Sequence, residues 1–206
     1  MTVDRIRATV AATVLVGAVV LAFMLRSEPG SATFYSLTVV LAAVWAVGAM
    51  AAGPVRLGGV GPDRTRLPIV GPLLLGLGLV GLFTVGGLVV REIGPLDEAV
   101  RNVLSYTGDG VRPGLVVVTV LAGVAEELFF RGPLYDVVPR HPVVVTAVVY
   151  ALATAATGNI MLALAAALLG VVTALQRRAT GGILASSITH ITWSLGMLVV
   201  LPLLFG

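Results

Sequence analysis

The sequence predicts an all-α fold: a polytopic transmembrane bundle of about seven spans (six to eight), built as one integral membrane domain over residues 1–206. Three observations predict it. Of the 206 residues, 58% are hydrophobic and only 11% are charged, with a mean hydropathy of +1.06. A soluble domain carries roughly 25% charged residues. The apolar residues come in runs of about 17–25, the length that crosses a bilayer core as a helix. Finally, all 13 basic residues are Arg, and most sit where those runs end. That placement reads as membrane anchoring, so the net charge of +3 and the pI near 10.0 imply no nucleic-acid partner. The absence of Lys and the wealth of Ala, Val, Gly and Leu read as a GC-rich bacterial source.

The runs justify the spans in order. The first, 8–25, follows Arg5 and Arg7 but has no A-x-A cleavage site, so a retained helix is expected. The second and third are 33–52 and 69–90. The fourth, 115–135, is apolar except for Glu126, Glu127 and Arg131. The fifth and sixth, 143–157 and 160–175, are short and separated only by Gly158 and Asn159, a tight hairpin that Asn159 caps. The seventh is 182–204. Small residues (Gly76, Gly78 and Gly81 in the third span; Ala163, Ala166, Ala167 and Gly170 in the sixth) suit close helix packing, and Trp45 and Trp193 read as packing residues too.

The loops set the orientation. The N-terminus, 53–68, 136–142 and the turn at 177–178 hold Arg5, Arg7, Arg56, Arg64, Arg66, Arg140, Arg177 and Arg178. The opposite loops hold Arg26, Arg91, Arg101 and Arg112, offset by Glu28, Glu92, Asp97, Glu98 and Asp109. This bias predicts a cell-membrane protein with a cytoplasmic N-terminus and an outside C-terminus. Within the longest polar segment, residues 97–106 have helical spacing; they read as a helix along the outer membrane surface or as a plain solvated connector. His141, between two prolines, reads as an exposed loop residue.

Chemistry concentrates in the fourth span. A charged side chain at bilayer depth costs about 2.5–3.5 kcal/mol on insertion scales, so such residues are rare and functional. Glu127 and Arg131 stand at i, i+4 and can neutralise each other. Glu126 points about 100° away, free to face a cavity as a general base. An ion pair that merely locks helices explains Glu127 and Arg131 but not Glu126. In the last span His190 stands about eight residues from the cytoplasmic face and Glu126 about ten, roughly 12–15 Å deep at 1.5 Å per residue. Ser186 and Ser187 lie one turn before His190, and Ser194 one turn after. Tyr150 and Thr154 in the fifth span lie at similar depth as supporting groups, or as plain packing residues.

The run Glu126-Glu127-x-x-x-Arg131, followed by Gly132 and Tyr135, resembles the first motif (EExxxR) of the CAAX-protease and bacteriocin-processing family, also called CPBP or Abi. The similarity covers roughly 115–201. The family's second motif, FxxxH, stands here as Tyr150-Ala-Leu-Ala-Thr154, and its third, HxxxN, as His190-Ile-Thr-Trp-Ser194. The resemblance implies an intramembrane endopeptidase acting on a membrane-associated peptide or protein near the cytoplasmic leaflet. Glu126 would be the base, Glu127 and Arg131 its support, and His190 an oxyanion or water-orienting group. Thr154 and Ser194 replace the family's second His and its Asn, and are poor metal ligands. A usual zinc site needs three protein ligands, whereas only Glu126 and His190 are at hand, and Cys is absent. The cofactor stays open: zinc is weakly supported, and a metal-free mechanism is available in which Glu126 deprotonates water while His190 and Thr154 stabilise the oxyanion. Two alternatives stand beside it: a family member that binds a peptide or partner without cutting, and a small proton-coupled transporter. The inverted repeats expected of many transporters are not visible.

Overall fold

A computed structural model describes residues 2–107 and 112–206; Asp109, counted above among the loop charges, lies outside them. The described residues form α1 (Val3–Met24), α2 (Ala32–Ala52), α3 (Val70–Val90), α4 (Gly94–Leu104), α5 (Pro113–Phe130), α6 (Pro133–Val137), α7 (Pro142–Ala155), α8 (Ile160–Thr180) and α9 (Leu184–Phe205). One 3-10 turn, Ser105–Thr107, follows α4. Local chemistry marks the boundaries. Ser31 accepts a hydrogen bond from the Phe34 amide at the start of α2, and Asn159 accepts from the Met161 and Leu162 amides at the start of α8. Pro opens α4 to α7, where its missing N–H costs nothing. α8 stops at Gly181, whose φ of 76° is left-handed.

Among the described residues, six helical stretches are long and apolar enough to cross a membrane, α5 and α6 counting as one. α7 has 14 residues, about 21 Å at 1.5 Å per residue, short of a full hydrocarbon core of about 30 Å. Hydrogen bonds between the turns nevertheless give it two ends. At one end the Tyr106 hydroxyl donates to the carbonyls of Leu25 (2.6 Å) and Ser27 (3.3 Å). There too the Asn159 amide donates to the Ala99 carbonyl (2.7 Å), and Arg101 donates to the Phe205 carbonyl. At the opposite end the Gly59 amide donates to Thr180, Ile183 to Arg56 and Leu184 to Leu57, at 2.9, 2.9 and 3.0 Å. α7 runs from the second end to the first, so the described residues make seven passes between the two ends, one of them short, consistent with about seven spans. The expected fourth span is not continuous: it breaks at Arg131 and Gly132 into α5 and α6. Residues 97–106 are no plain connector, because α4 is tied to α8 and α9 by the bonds of Ala99 and Arg101.

Packing falls into two styles. α1 and α2 approach closely at Gly17, where an added Cβ would stand 2.0 Å from the Trp45 ring. Trp45 is 2% exposed; it stacks on Phe129 at 5.1 Å and meets Phe130 edge-on at 4.9 Å, which joins α2 to α5. α5 also packs on α9, α7 on α8, and α3 on α9. Of the small residues expected at interfaces, Gly76 faces Thr192 and Gly170 faces Ala147, but Gly78 and Gly81 meet no neighbour. Their helix touches the bundle along a single face, so the other side of α3 has nothing to pack on.

Candidate active site

Five of the seven residues singled out in the sequence come together where α5, α7, α8 and α9 meet. Glu127 and Arg131 are fully buried, with Nη1 3.2 Å from Oε1. The same Oε1 lies 2.9 Å from His190 Nδ1. Paired with a guanidinium, Glu127 is the acceptor, which assigns the Nδ1 hydrogen to His190 and turns its Nε2 lone pair outward. Nε2 stands 3.9 Å from Glu126 Oε2. Arg131 also donates to the Gly170 carbonyl on α8 at 3.2 Å, and its guanidinium lies 5.0 Å from the centre of the Tyr150 ring.

Glu126 is where the sequence expectation fails in detail. It points away from Glu127 as the helix geometry requires, but it is not free: Oε2 accepts the Tyr150 hydroxyl at 2.5 Å. The carboxylate is 17% exposed, against 0% for Glu127. Adjacent on one helix, the two acids thus occupy different environments. One is locked in a buried ion pair; the other is hydrogen-bonded but open.

The remaining two candidates stay outside the network. The Thr154 hydroxyl turns back to the Tyr150 carbonyl at 2.9 Å, as Thr commonly does in helices. Ser194 hydrogen-bonds with none of the described residues. Of the neighbouring serines, Ser186 gives its hydroxyl to the Ile183 carbonyl (2.8 Å), while the Ser187 hydroxyl is buried without a partner. Trp193 does more than pack against lipid: its ring lies 5.1 Å from Phe83 and 6.2 Å from His190, and its indole N–H is buried without an acceptor. His141 is exposed, as expected, and opens α7 with a left-handed φ of 54°.

Other supports were not given a role in the site from the sequence. Arg177 was counted with the anchoring arginines, but it is buried. It donates to the Arg131 carbonyl at 2.6 Å and to Asp136 at 2.7 Å, and lies 5.2 Å over the Tyr135 ring. It thereby ties α8 to the break after α5. Gly132 makes that break: an added Cβ would stand 2.1 Å from the Leu128 carbonyl, so no other residue fits. Gly123 on α5 faces the His190 ring, whose nearest atom would be 3.7 Å from a Cβ there, an ordinary contact.

The donor set does not fit a catalytic zinc. Glu127 is committed through Oε1 to Arg131 and His190 Nδ1, and its Oε2 is buried without a hydrogen bond; the two groups that face each other across a gap, Glu126 Oε2 and His190 Nε2, are one short of the usual three protein ligands. Among the described residues, no group of three or more His, Asp or Glu could hold a metal ion. The arrangement instead suits acid–base work by a half-open carboxylate beside an oriented imidazole.

No curated protein and no solved structure matches the chain. Residues 110–196, which carry α5 to α8, the start of α9 and all five clustered residues, match the family model described as type II CAAX prenyl endopeptidase Rce1-like. The match spans less than half of the chain, and it agrees with the resemblance of the EExxxR run to the CAAX-protease family.

Proposed function

We propose that this protein is a CAAX-type intramembrane endopeptidase in which Glu126 activates water. The observation that carries the reading is the 3.9 Å gap between Glu126 Oε2 and His190 Nε2, beside the buried Glu127–Arg131 pair. A water held between those two acceptors keeps its lone pairs free for attack. Glu126 takes one water proton as the water oxygen bonds to the scissile carbonyl carbon and the carbonyl electron pair moves to oxygen. On collapse the C–N bond breaks, and the proton on Glu126 passes to the leaving amine. Glu127 holds His190 in the required tautomer, and Arg131 holds Glu127.

An apolar cavity of about 470 Å³ opens between α3 and α8, with α9 as its floor and α4 across one end. It reaches Trp193, next to His190. A prenylated peptide entering from the lipid phase would bring its chain along this crevice and its peptide bond to Glu126. The site lies near the arginine-rich end of the bundle, which we assign to the cytoplasmic face of the cell membrane. The test uses the purified protein in lipid nanodiscs and a farnesylated peptide ending in Cys-aliphatic-aliphatic-X. Mass spectrometry should detect release of the terminal tripeptide, and Glu126→Gln should abolish it. No release by the wild type, or equal release by the variant, would sink the reading.

One observation favours a second reading, a family member that binds without cutting: Thr154 and Ser194, which replace motif residues, make no bond to Glu126 or His190. In that case the farnesylated peptide would bind to the wild type and to Glu126→Gln alike, and neither would release a tripeptide.

A further inference from the structure

The Tyr150 hydroxyl is the one polar contact at Glu126 that neither the EExxxR motif nor the ion pair explains. We propose that Tyr150 is the positioning residue of the site, holding Glu126 Oε2 where it faces His190 Nε2; this rests on the protease reading above. Glu126 has a flexible side chain and is partly open, so its geometry is not set by burial alone. Tyr150 is the group that sets it. The phenol bonds Oε2 at 2.5 Å, the same oxygen that stands 3.9 Å from His190 Nε2. Oε1 takes no hydrogen bond from any described residue. One donor therefore anchors the base at the oxygen that shares the water with the imidazole.

Tyr150 is itself immobilised. It is 8% exposed, its ring meets Phe130 edge-on at 4.8 Å, and the Arg131 guanidinium lies 5.0 Å from its centre. Gly170 makes space for it: a Cβ there would be 3.3 Å from Tyr150 Cδ1. A rigid donor on α7 thus orients a mobile acceptor on α5, as a supporting shell orients a functional group. The hydroxyl also makes up for the side chain one turn further on. Thr154 occupies the same face of α7 at i+4 but spends its hydroxyl on the Tyr150 carbonyl. A His at that position would have a ring N–H to offer Glu126; Thr offers nothing, and the phenol supplies the donor instead.

The experiment compares wild type, Tyr150→Phe, and Tyr150→Phe with Thr154→His, by kcat and KM for the farnesylated peptide in nanodiscs. Removing one oxygen should lower kcat by about 100-fold, the scale of a misplaced catalytic group, with KM within about twofold. The double variant should regain kcat to within about tenfold of wild type, a recovery that a purely structural role for the hydroxyl would not give. Thermal unfolding checks that each variant is folded; if Tyr150→Phe alone fails to fold, the kcat of the double variant decides, and a value under about one-thousandth of wild type overturns the proposal. Undiminished kcat in folded Tyr150→Phe also overturns it, while leaving the protease reading intact. A wild type that releases no tripeptide overturns both.

Discussion

The α1–α2 pair and the α5–α9 cluster solve the same packing problem in opposite ways. Between α1 and α2 the contact is mainly steric, with Gly17 lying flat against Trp45 and Thr38 donating to the Met24 sulfur. Between α5, α7, α8 and α9 the contact is polar, through Glu127, Arg131, His190, Tyr150 and the Gly170 carbonyl. In lipid there is little hydrophobic force between helices, so association relies on close fit or on hydrogen bonds. The first pair uses fit and holds none of the five clustered residues. The second uses charge, which is expensive to bury and is kept where it can act.

This comparison can be broken in order of expected effect on folding. Arg131→Ala leaves Glu127 as an unpaired buried charge and should cost about 3–5 kcal/mol. Thermal unfolding in detergent should show a large drop or no folded protein at all; a wild-type melt would mean the pair does not hold the cluster. Gly17→Val drives a side chain into Trp45 and should cost about 1–3 kcal/mol. Folded Gly17→Val should keep peptide cleavage near wild type, and a selective loss of kcat would show that the first two helices act on the site. Ser31→Ala removes the cap on α2 and should cost about 1 kcal/mol, seen as a small Tm shift with unchanged activity. Glu126→Gln should shift Tm least, because the carboxylate is partly open. Its cleavage loss should nonetheless be complete. A large Tm loss there would place Glu126 with Glu127 among the groups that hold the fold.

How much of this was legible depends on the range of the interaction. The Glu127–Arg131 pair was readable because i, i+4 spacing on a helix makes neighbours whatever the rest of the chain does. The divergent direction of Glu126 was readable for the same reason. Its bond to Tyr150, 24 residues on, was not, because a membrane Tyr has many packing partners and only the crossing of α5 and α7 selects one. Arg177 shows the opposite error. A basic residue beside a predicted membrane end reads as an anchor, yet Arg177 is buried, with its guanidinium held by the Arg131 carbonyl, Asp136 and the Tyr135 ring. The break of the fourth span was legible in principle: Gly132 followed by Pro133 marks a helix boundary, but the apolar run around them outweighed it.

By itself the sequence determined the all-helical membrane class of the protein, about seven spans, and one acid–guanidinium pair. All of these follow from composition and from contacts within a single helix. Only the tertiary structure decided that Glu127 orients His190, that Tyr150 holds Glu126, and that Thr154 and Ser194 stay out of the network. Those facts depend on how α5, α7, α8 and α9 cross, and the crossings are set by close approaches of small residues and by buried polar bonds between segments far apart in the chain. No spacing rule within one helix contains that information.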